Sequence, residues 1–152
     1  MKLQAIAILT FLIFENVMAQ ETTTAKYINS TDMEALKLTQ EWDKTFPQSD
    51  KVEHTKITFH NRYGITLAAD LYKPKNTQGR LAAIAVSGPY GAVKEQVSGR
   101  YAQTLAERGF LTIAFDPSYY GESGGTPRYL TSPEISTEDF SAAVAYLTSR
   151  AD

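Results

Sequence analysis

The chain has 152 residues, of which 43% are hydrophobic and 21% charged, a globular composition that fits one domain. A formal net charge of -2 without a long basic run gives nucleic-acid binding no electrostatic support. Cysteine is absent, which excludes disulfides, thiolate metal sites and a cysteine nucleophile, and the two histidines, His54 and His60, do not favour a zinc site. No metal or other cofactor is predicted.

The first residues have the build of a secretory signal peptide. Lys2 gives a positive start, residues 3–14 are nearly all apolar, and residues 17–19 (VMA) end on small side chains. This pattern predicts a signal peptide over residues 1–19, cleavage before Gln20 and a secreted or periplasmic protein. An uncleaved anchor is the alternative, although the apolar run is shorter than the roughly 20 residues that span a bilayer. After cleavage we expect no stable membrane insertion.

Residues 20–51 are predicted to form a polar leader followed by an N-terminal helix. Residues 31–34 (TDME) have the spelling of a capping box, in which a threonine hydroxyl and a glutamate carboxylate satisfy free amides. Met33, Leu36 and Trp42 follow at roughly helical spacing. The pattern predicts a helix over 32–46 that ends before Pro47 and serves as packing surface.

Two strands are predicted next. Thr55, Ile57 and Phe59 alternate with polar residues, and residues 65–71 alternate again after a short turn that contains Gly64. Alternation on both sides of a short turn is typical of a β-hairpin. The two histidines lie on or near the first strand, where we interpret them as ordinary strand residues.

The sequence from residue 81 onward predicts a right-handed βαβ unit and a last helix. Residues 81–86 and 110–115 are apolar without alternation, which indicates strands buried on both faces, and residues 94–108 between them read as a helix closed by Gly109. After a long loop, a helix is predicted from Ser136, with Phe140, Val144 and Leu147 on its inner face. The predicted fold class is α/β: an N-terminal β-hairpin followed by a βαβ unit of a mostly parallel sheet.

Residues 121–125 (GESGG) fit G-x-S-x-G, the pattern of a serine-hydrolase nucleophile. In that motif the serine sits on a turn directly between a strand and a helix, and a histidine follows later in the chain. Here residues 117–120 separate the strand from the motif, more loop follows it, and no histidine occurs after His60. We therefore interpret Ser123 as a structural residue and not as a nucleophile.

Several short motifs occur in the same order as in one known family of proteins. Residues 70–74 (DLYKP), 87–91 (SGPYG), 94–96 (KEQ) and the glycine-containing loop 116–123 are similar to segments of secreted α/β-hydrolases. The resemblance is to the cocaine-esterase, X-Pro dipeptidyl-peptidase and dienelactone-hydrolase-like group, and it covers roughly residues 52–150. Residues 52–152 are accordingly interpreted as a partial, incomplete α/β-hydrolase domain.

The resemblance implies a serine hydrolase of carboxylic ester or amide bonds with a small-molecule substrate. It makes Tyr90, after Pro89, a candidate donor to the oxyanion, and a tyrosine packed at the strand mouth is the alternative. Asp116 is expected to order its loop, and Lys94 and Glu95 are interpreted as charges at a helix start.

In this family the nucleophile, the acid and the histidine follow the last helix predicted here. The resemblance therefore implies a front half that is inactive by itself and that exposes a strand edge for self-association. A non-enzymatic secreted binding domain and a subunit completed by a second polypeptide are the alternatives.

Overall fold

The computed structural model describes residues 35–151, which form a mixed sheet with two helices. In chain order the elements are β1 (Val52–His60), β2 (Thr66–Pro74), β3 (Ala83–Val86), α1 (Val97–Ala106), β4 (Leu111–Phe115) and α2 (Pro133–Ser149). The predicted signal peptide and the capping box at 31–34 lie outside the described residues.

The four strands form one sheet in the order β1-β2-β4-β3. Strands β1 and β2 are antiparallel, in a register that runs from Val52 opposite Pro74 to His60 opposite Thr66, which confirms the predicted hairpin. Strand β2 also pairs antiparallel with β4, and β3 pairs parallel with β4. The predicted β-α-β order is therefore confirmed, and β3 lies at one edge of the described sheet.

The two helices cover opposite faces of the sheet. Ile113 belongs to a core cluster with Ala143 and Leu147 of α2, whereas its neighbour Ala114 belongs to a second cluster with Ala102 and Ala106 of α1. Successive residues of a strand point to opposite faces, so β4 is buried on both sides, as predicted. The α/β fold class is confirmed.

The predicted helix over 32–46 is wrong for its described part, since residues 35–46 are irregular. A local side-chain bond and tertiary contacts hold this segment in place of the backbone hydrogen bonds of a helix. The Trp42 indole donates to the Phe46 carbonyl at 2.8 Å, and the Thr45 amide donates to the Glu95 carbonyl at 2.9 Å. The Lys44 side chain is fully buried, with Nζ 3.0 Å from Asp70 Oδ2. A helix would draw these groups away from their partners.

Helix α2 begins at Pro133, three residues before the predicted start. Ser132 is its N-cap, with the side-chain oxygen accepting from the Ile135 amide at 3.4 Å, and proline suits the first turn because its missing N–H is not needed there. Of the predicted inner face, Leu147 is buried, whereas Phe140 and Val144 are 43% and 54% exposed. The Phe140 ring still packs edge-to-face on Phe115 of β4.

Strand β3 and helix α1 also differ from their predictions. Ala83 is exposed and the rest of β3 is half-buried, because the strand is at the sheet edge and not in its middle. Helix α1 starts at Val97 and not at 94. Residues 94–96 form a turn, in which the Lys94 amide donates to the Asp116 carboxylate. Gly109 has the predicted left-handed backbone, with φ of 100°. Within residues 35–151, neither helix has the length and apolarity to cross a membrane.

Candidate functional site

A cavity of about 410 Å³ opens where the parallel strands β3 and β4 end. It is lined by the loop 87–91 and by Phe115, Pro117, Tyr120, Thr131, Ser136 and Phe140. The loop 87–91 follows β3, and Phe115 is the last residue of β4. Ligand crevices of open α/β sheets lie outside the carboxyl ends of the strands, so this cavity is the candidate site.

Tyr90 stands at the apex of a tight turn on the rim of this cavity. The Ala92 amide donates to the Pro89 carbonyl at 3.0 Å, and Gly91 has φ of 78°. A left-handed residue at the third position is the mark of a type II turn, which explains the glycine. Tyr90 occupies the second position and is 76% exposed. The turn presents the phenol at the cavity mouth, and its action as an oxyanion donor stays a prediction.

The Asp116 carboxylate joins the two loops that border the cavity. It accepts the Lys94 amide at 2.7 Å and the Glu122 amide at 2.9 Å. A Cβ on Gly121, which has φ of 51°, would lie 2.2 Å from Asp116 Oδ2, so no side chain fits there. These bonds agree with the interpretation of Asp116 as a residue that orders the loop.

Lys94 is not the solvated helix-start charge that the sequence suggested. Its side chain is fully buried, and Nζ lies 2.8 Å from Asp116 Oδ2, 2.7 Å from Glu122 Oε2 and 2.5 Å from Glu95 Oε1. Burial alone would lower the pKa of Lys94, but the attraction of Asp116 and the bonds to all three carboxylates raise it. The group is therefore a buried ammonium at neutral pH.

A second ammonium, from β1, extends the cluster. Lys56 Nζ donates to Asp43 Oδ2 at 2.9 Å and to Glu122 Oε2 at 2.7 Å. Burial opposes ionisation of Glu122, yet the bonds from Lys56, Lys94 and the Thr39 amide outweigh it and lower the pKa of Glu122 to about 2. We call the six side chains of Asp43, Lys56, Lys94, Glu95, Asp116 and Glu122 the ionic network.

Three acidic side chains of this region come close enough to resemble a metal site. Oxygens of Asp43, Glu95 and Glu122 lie within 4.8 Å of one another. The ammonium groups of Lys56 and Lys94 already bond these oxygens. The arrangement is that of an ion-pair network, in which a metal ion would have to displace two lysines.

Ser123 lies next to Glu122 of this network, and its hydroxyl bonds two backbone groups. It is 2% exposed, its hydroxyl donates to the Asp116 carbonyl at 2.7 Å, and its Oγ accepts the Ala68 amide at 2.9 Å. The hydroxyl thus joins β2 to the end of β4.

The two histidines lie on β1. His54 has Nε2 2.8 Å from Asp70 Oδ1, and His60 is exposed at the end of the strand.

A second buried polar cluster was missed by sequence reasoning. Asp139 of α2 is fully buried, and its carboxylate accepts the Asn61 amide group, the Ser118 hydroxyl and the Ser118 backbone amide, each at 2.8 Å. These bonds join the hairpin turn, the long loop and α2. The four-residue spacing of Asp139 from the buried Ala143 is the signal that could have placed it on the inner face.

Comparison with known proteins gives relatives but no match to a family model. The chain is 68% identical over 127 residues to uncharacterised protein PA2218 of Pseudomonas aeruginosa, covering 83% of this chain and 34% of that one. It is 52% identical over 99 residues to uncharacterised protein YcjY of Escherichia coli, covering 62% and 32%. A thiohydrolase, aneE of Aspergillus aculeatus, is 30% identical over 99 residues, covering 65% and 30%. The chain thus spans about a third of the length of these relatives.

Solved structures identify the fold. The crystal structure of the P. aeruginosa protein matches with a TM-score of 0.75 at 70% identity, over 77% of this chain and 37% of that one. The α/β-hydrolase GrgF of Penicillium sp. sh18 matches at 0.58 and 23% identity, over 64% and 33%, and a bacterial brefeldin A esterase at 0.50 and 20%, over 75% and 30%. The mixed α/β fold of residues 35–151 is accordingly that of part of an α/β-hydrolase.

Proposed function

We propose that this chain supplies the oxyanion-loop side of a serine α/β-hydrolase that cleaves carboxylic ester or amide bonds. The carrying observation is the tight turn that presents the Tyr90 phenol at the mouth of the cavity beside the ends of β3 and β4. The match to hydrolase folds and to a relative named a thiohydrolase supports the same class of acyl chemistry. The nucleophile, the acid and the histidine come from residues other than those described.

The chemistry assigns one task to Tyr90. Attack of a serine oxygen on the substrate carbonyl forms a C–O bond and moves the carbonyl electron pair onto oxygen. The Tyr90 O–H donates a hydrogen bond to that oxyanion and lowers the barrier, because the bond strengthens as charge develops. The catalytic histidine takes the proton of the attacking serine and gives it to the alcohol or amine, which leaves as the carbonyl re-forms. Water then attacks the acyl-serine by the same route, which releases the acid and regenerates the serine.

The ionic network supports this task by fixing the backbone that follows the Tyr90 turn. A donor of this kind is effective only when it is held in place before the reaction. Asp116 and Lys94 bond the segment that follows the Tyr90 turn to the loop 116–123, and both side chains are fully buried. The network thus fixes the frame of the turn without contacting the substrate.

The test is a chimera in which residues 35–151 replace their counterparts in the 68%-identical P. aeruginosa protein. We expect the chimera to hydrolyse p-nitrophenyl acetate and to be labelled by a fluorophosphonate at a serine outside the inserted residues. The isolated chain is expected to give only the buffer rate. The unaltered P. aeruginosa protein is the control, and labelling of Ser123 would overturn the assignment.

A non-enzymatic binding domain is the second candidate. It is favoured by the hydroxyls of Ser87 and Ser123, which donate to the carbonyls of Phe115 and Asp116 at 3.4 and 2.7 Å and are thus directed away from attack. A chimera that binds esters without turnover, while the P. aeruginosa protein hydrolyses them, would support this candidate.

We also propose that the protein is exported, on the strength of the apolar segment 3–14 and the small residues at 17–19. Exported material should begin at Gln20. N-terminal sequencing that returned Met1 would contradict the proposal.

A further inference from the structure

The candidate cavity has an uncharged, aromatic lining. None of its eleven described lining residues is an acid, a lysine, an arginine or a histidine, and four of them carry an aromatic ring. A charged group placed in such a site would lose its hydration without gaining a partner, which costs far more than the contacts return. The lining therefore selects against a carboxylate or an ammonium.

The rings are held in positions that leave room for another ring. Phe115 is buried at the end of β4, and Phe140 packs edge-to-face on it, with centroids 5.0 Å apart and planes at 83°. Phe140 is still 43% exposed, so part of its ring is uncovered. Aromatic rings prefer such edge-to-face and offset contacts with further rings.

The polar lining groups are mostly engaged by the protein. The Tyr120 hydroxyl lies 2.7 Å from Thr131 Oγ1 and 3.3 Å from the Tyr129 carbonyl, which fixes its ring. The Ser87 hydroxyl donates to the Phe115 carbonyl at 3.4 Å. These groups shape the cavity more than they offer bonds to a ligand.

The volume of about 410 Å³ sets the size of the occupant. A closed cavity of roughly 150 Å³ holds a benzene molecule. The present cavity therefore has room for one substituted ring or two fused rings, at the lower end of the range typical of small-molecule sites.

We propose that this cavity binds an uncharged aromatic group of the substrate, with the scissile carbonyl toward Tyr90 and the ring against Phe140 and Phe115. The inference rests on the proposed function for the carbonyl, and on the uncharged cavity and its ring geometry for the aromatic group. It restricts the substrate class from carboxylic esters and amides in general to those with an aryl group near the carbonyl.

The test measures binding to the chain itself by titration in ¹H–¹⁵N NMR spectra with three matched probes. These are methyl 3-phenylpropanoate, its cyclohexyl analogue and the 3-phenylpropanoate anion. We expect the aromatic ester to bind about tenfold more tightly than the anion and about threefold more tightly than the cyclohexyl ester. Equal binding of the three probes overturns the proposal.

Variants of α2 locate the site. Phe140→Ala should weaken binding of the aromatic ester about 3- to 10-fold, and Phe140→Leu should weaken it less. Val144→Ala is the control, because Val144 is 54% exposed on the same helix and lies outside the cavity lining. Melting curves of all three variants establish that they are folded. Unchanged binding in both Phe140 variants contradicts the proposal.

Failure of this inference is distinguishable from failure of the proposed function. Binding requires neither a nucleophile nor the Tyr90 hydroxyl, so Phe140-dependent binding without hydrolysis by the chimera would leave the aromatic site and remove the hydrolase. Conversely, a chimera that hydrolyses the phenyl and cyclohexyl esters with equal kcat/KM would leave the hydrolase and remove the aromatic site.

Discussion

Tyr90 is exposed because it occupies the corner of a tight turn, and that position gives a specific kinetic expectation. In the chimera described above, Tyr90→Phe should lower kcat roughly a hundredfold with little change in KM, since the lost bond forms only as the oxyanion develops. Tyr101→Phe is the matched control, because Tyr101 is 65% exposed on α1 and is not part of the cavity lining. An unchanged kcat would leave Tyr90 with a packing role only.

Ser123 leads to the opposite expectation, loss of stability without loss of chemistry. Ser123→Ala removes an acceptor of the Ala68 amide and a donor to the Asp116 carbonyl, both inside the protein. We expect it to lower the free energy of unfolding by about 1–3 kcal/mol and to leave kcat of the chimera within about tenfold. Ser141→Ala, at an exposed serine of α2, should change stability by less than about 0.5 kcal/mol. Urea titrations and initial rates measure both effects.

For single residues, the sequence predicts roles that depend on neighbouring residues and misses roles that depend on partners distant along the chain. That Ser123 lies in a loop, and that Asp116 orders this loop, could be inferred from neighbouring residues. The burial of Lys94 could not, because its partners Asp116 and Glu122 lie 22 and 28 positions away along the chain. A lysine among polar neighbours is usually a surface residue, and only the folded loops show otherwise.

The ionic network connects elements, so its strongest test removes one of its buried charges. Lys94→Met leaves Asp116 fully buried opposite an uncharged side chain. We expect a loss of about 3–5 kcal/mol in the free energy of unfolding, with a smaller loss in the double variant Lys94→Met/Asp116→Asn. Lys75→Met, at an exposed lysine, is the control and should have little effect. Equal losses in the single and double variants would contradict a direct coupling.

The same network predicts sensitivity to acid. Glu122 and Asp43 have ordinary pKa values of 4.5 and 3.8, and in the folded protein bonds from the lysines outweigh burial and bring each pKa to about 2. A carboxyl group with a lowered pKa contributes stability that is complete above its unfolded value and is lost as the pH falls toward its folded value. The urea midpoint should therefore drop between about pH 4.5 and 2.

The matched variant for this acid titration is Glu122→Gln. It should lower the midpoint at pH 7 and flatten the decline below pH 4.5. Burial and the nearby Asp116 raise the pKa of Glu95, which acts in the opposite direction and reduces the slope without reversing it. A Glu122→Gln protein with the full acid decline would contradict the assignment.

Elements were predictable where local pattern and tertiary contact agree. Strands β1, β2 and β4 follow from alternation or an apolar run, and the structure places them nearly as predicted. The helix over 32–46 was wrong in its described part because Lys44 and Thr45 find partners far along the chain, at Asp70 and Glu95. The start of α2 was missed although Ser132 and Pro133 are an ordinary cap and first residue.

At the scale of the whole molecule, the position of β3 has the largest consequence. Strand β3 pairs with β4 on one side, and in the described part of the chain no strand pairs with its other side. The Leu111 amide donates to the Ala82 carbonyl, so in this parallel ladder the backbone of Ile84 faces β4 and that of Ala83 and Ala85 faces outward. A groove of about 220 Å³ lined by Ala83, Ala85 and Val144 runs beside this edge.

We expect this edge to pair with the same edge of a second copy of the chain. Outward-facing amides and carbonyls are a template for another strand, and two identical edges meet across a twofold axis. The chain should therefore sediment as a dimer, or aggregate, with an apparent mass that rises with concentration. Ala85→Pro removes an outward amide and should restore the monomer, whereas Ile84→Pro breaks the bond to β4 and should unfold the protein.

A wild-type chain that stays monomeric at high concentration and melts in one sharp transition would contradict this prediction. It would mean that the β3 edge is already protected from pairing. That result would favour an independent binding domain over part of a larger hydrolase.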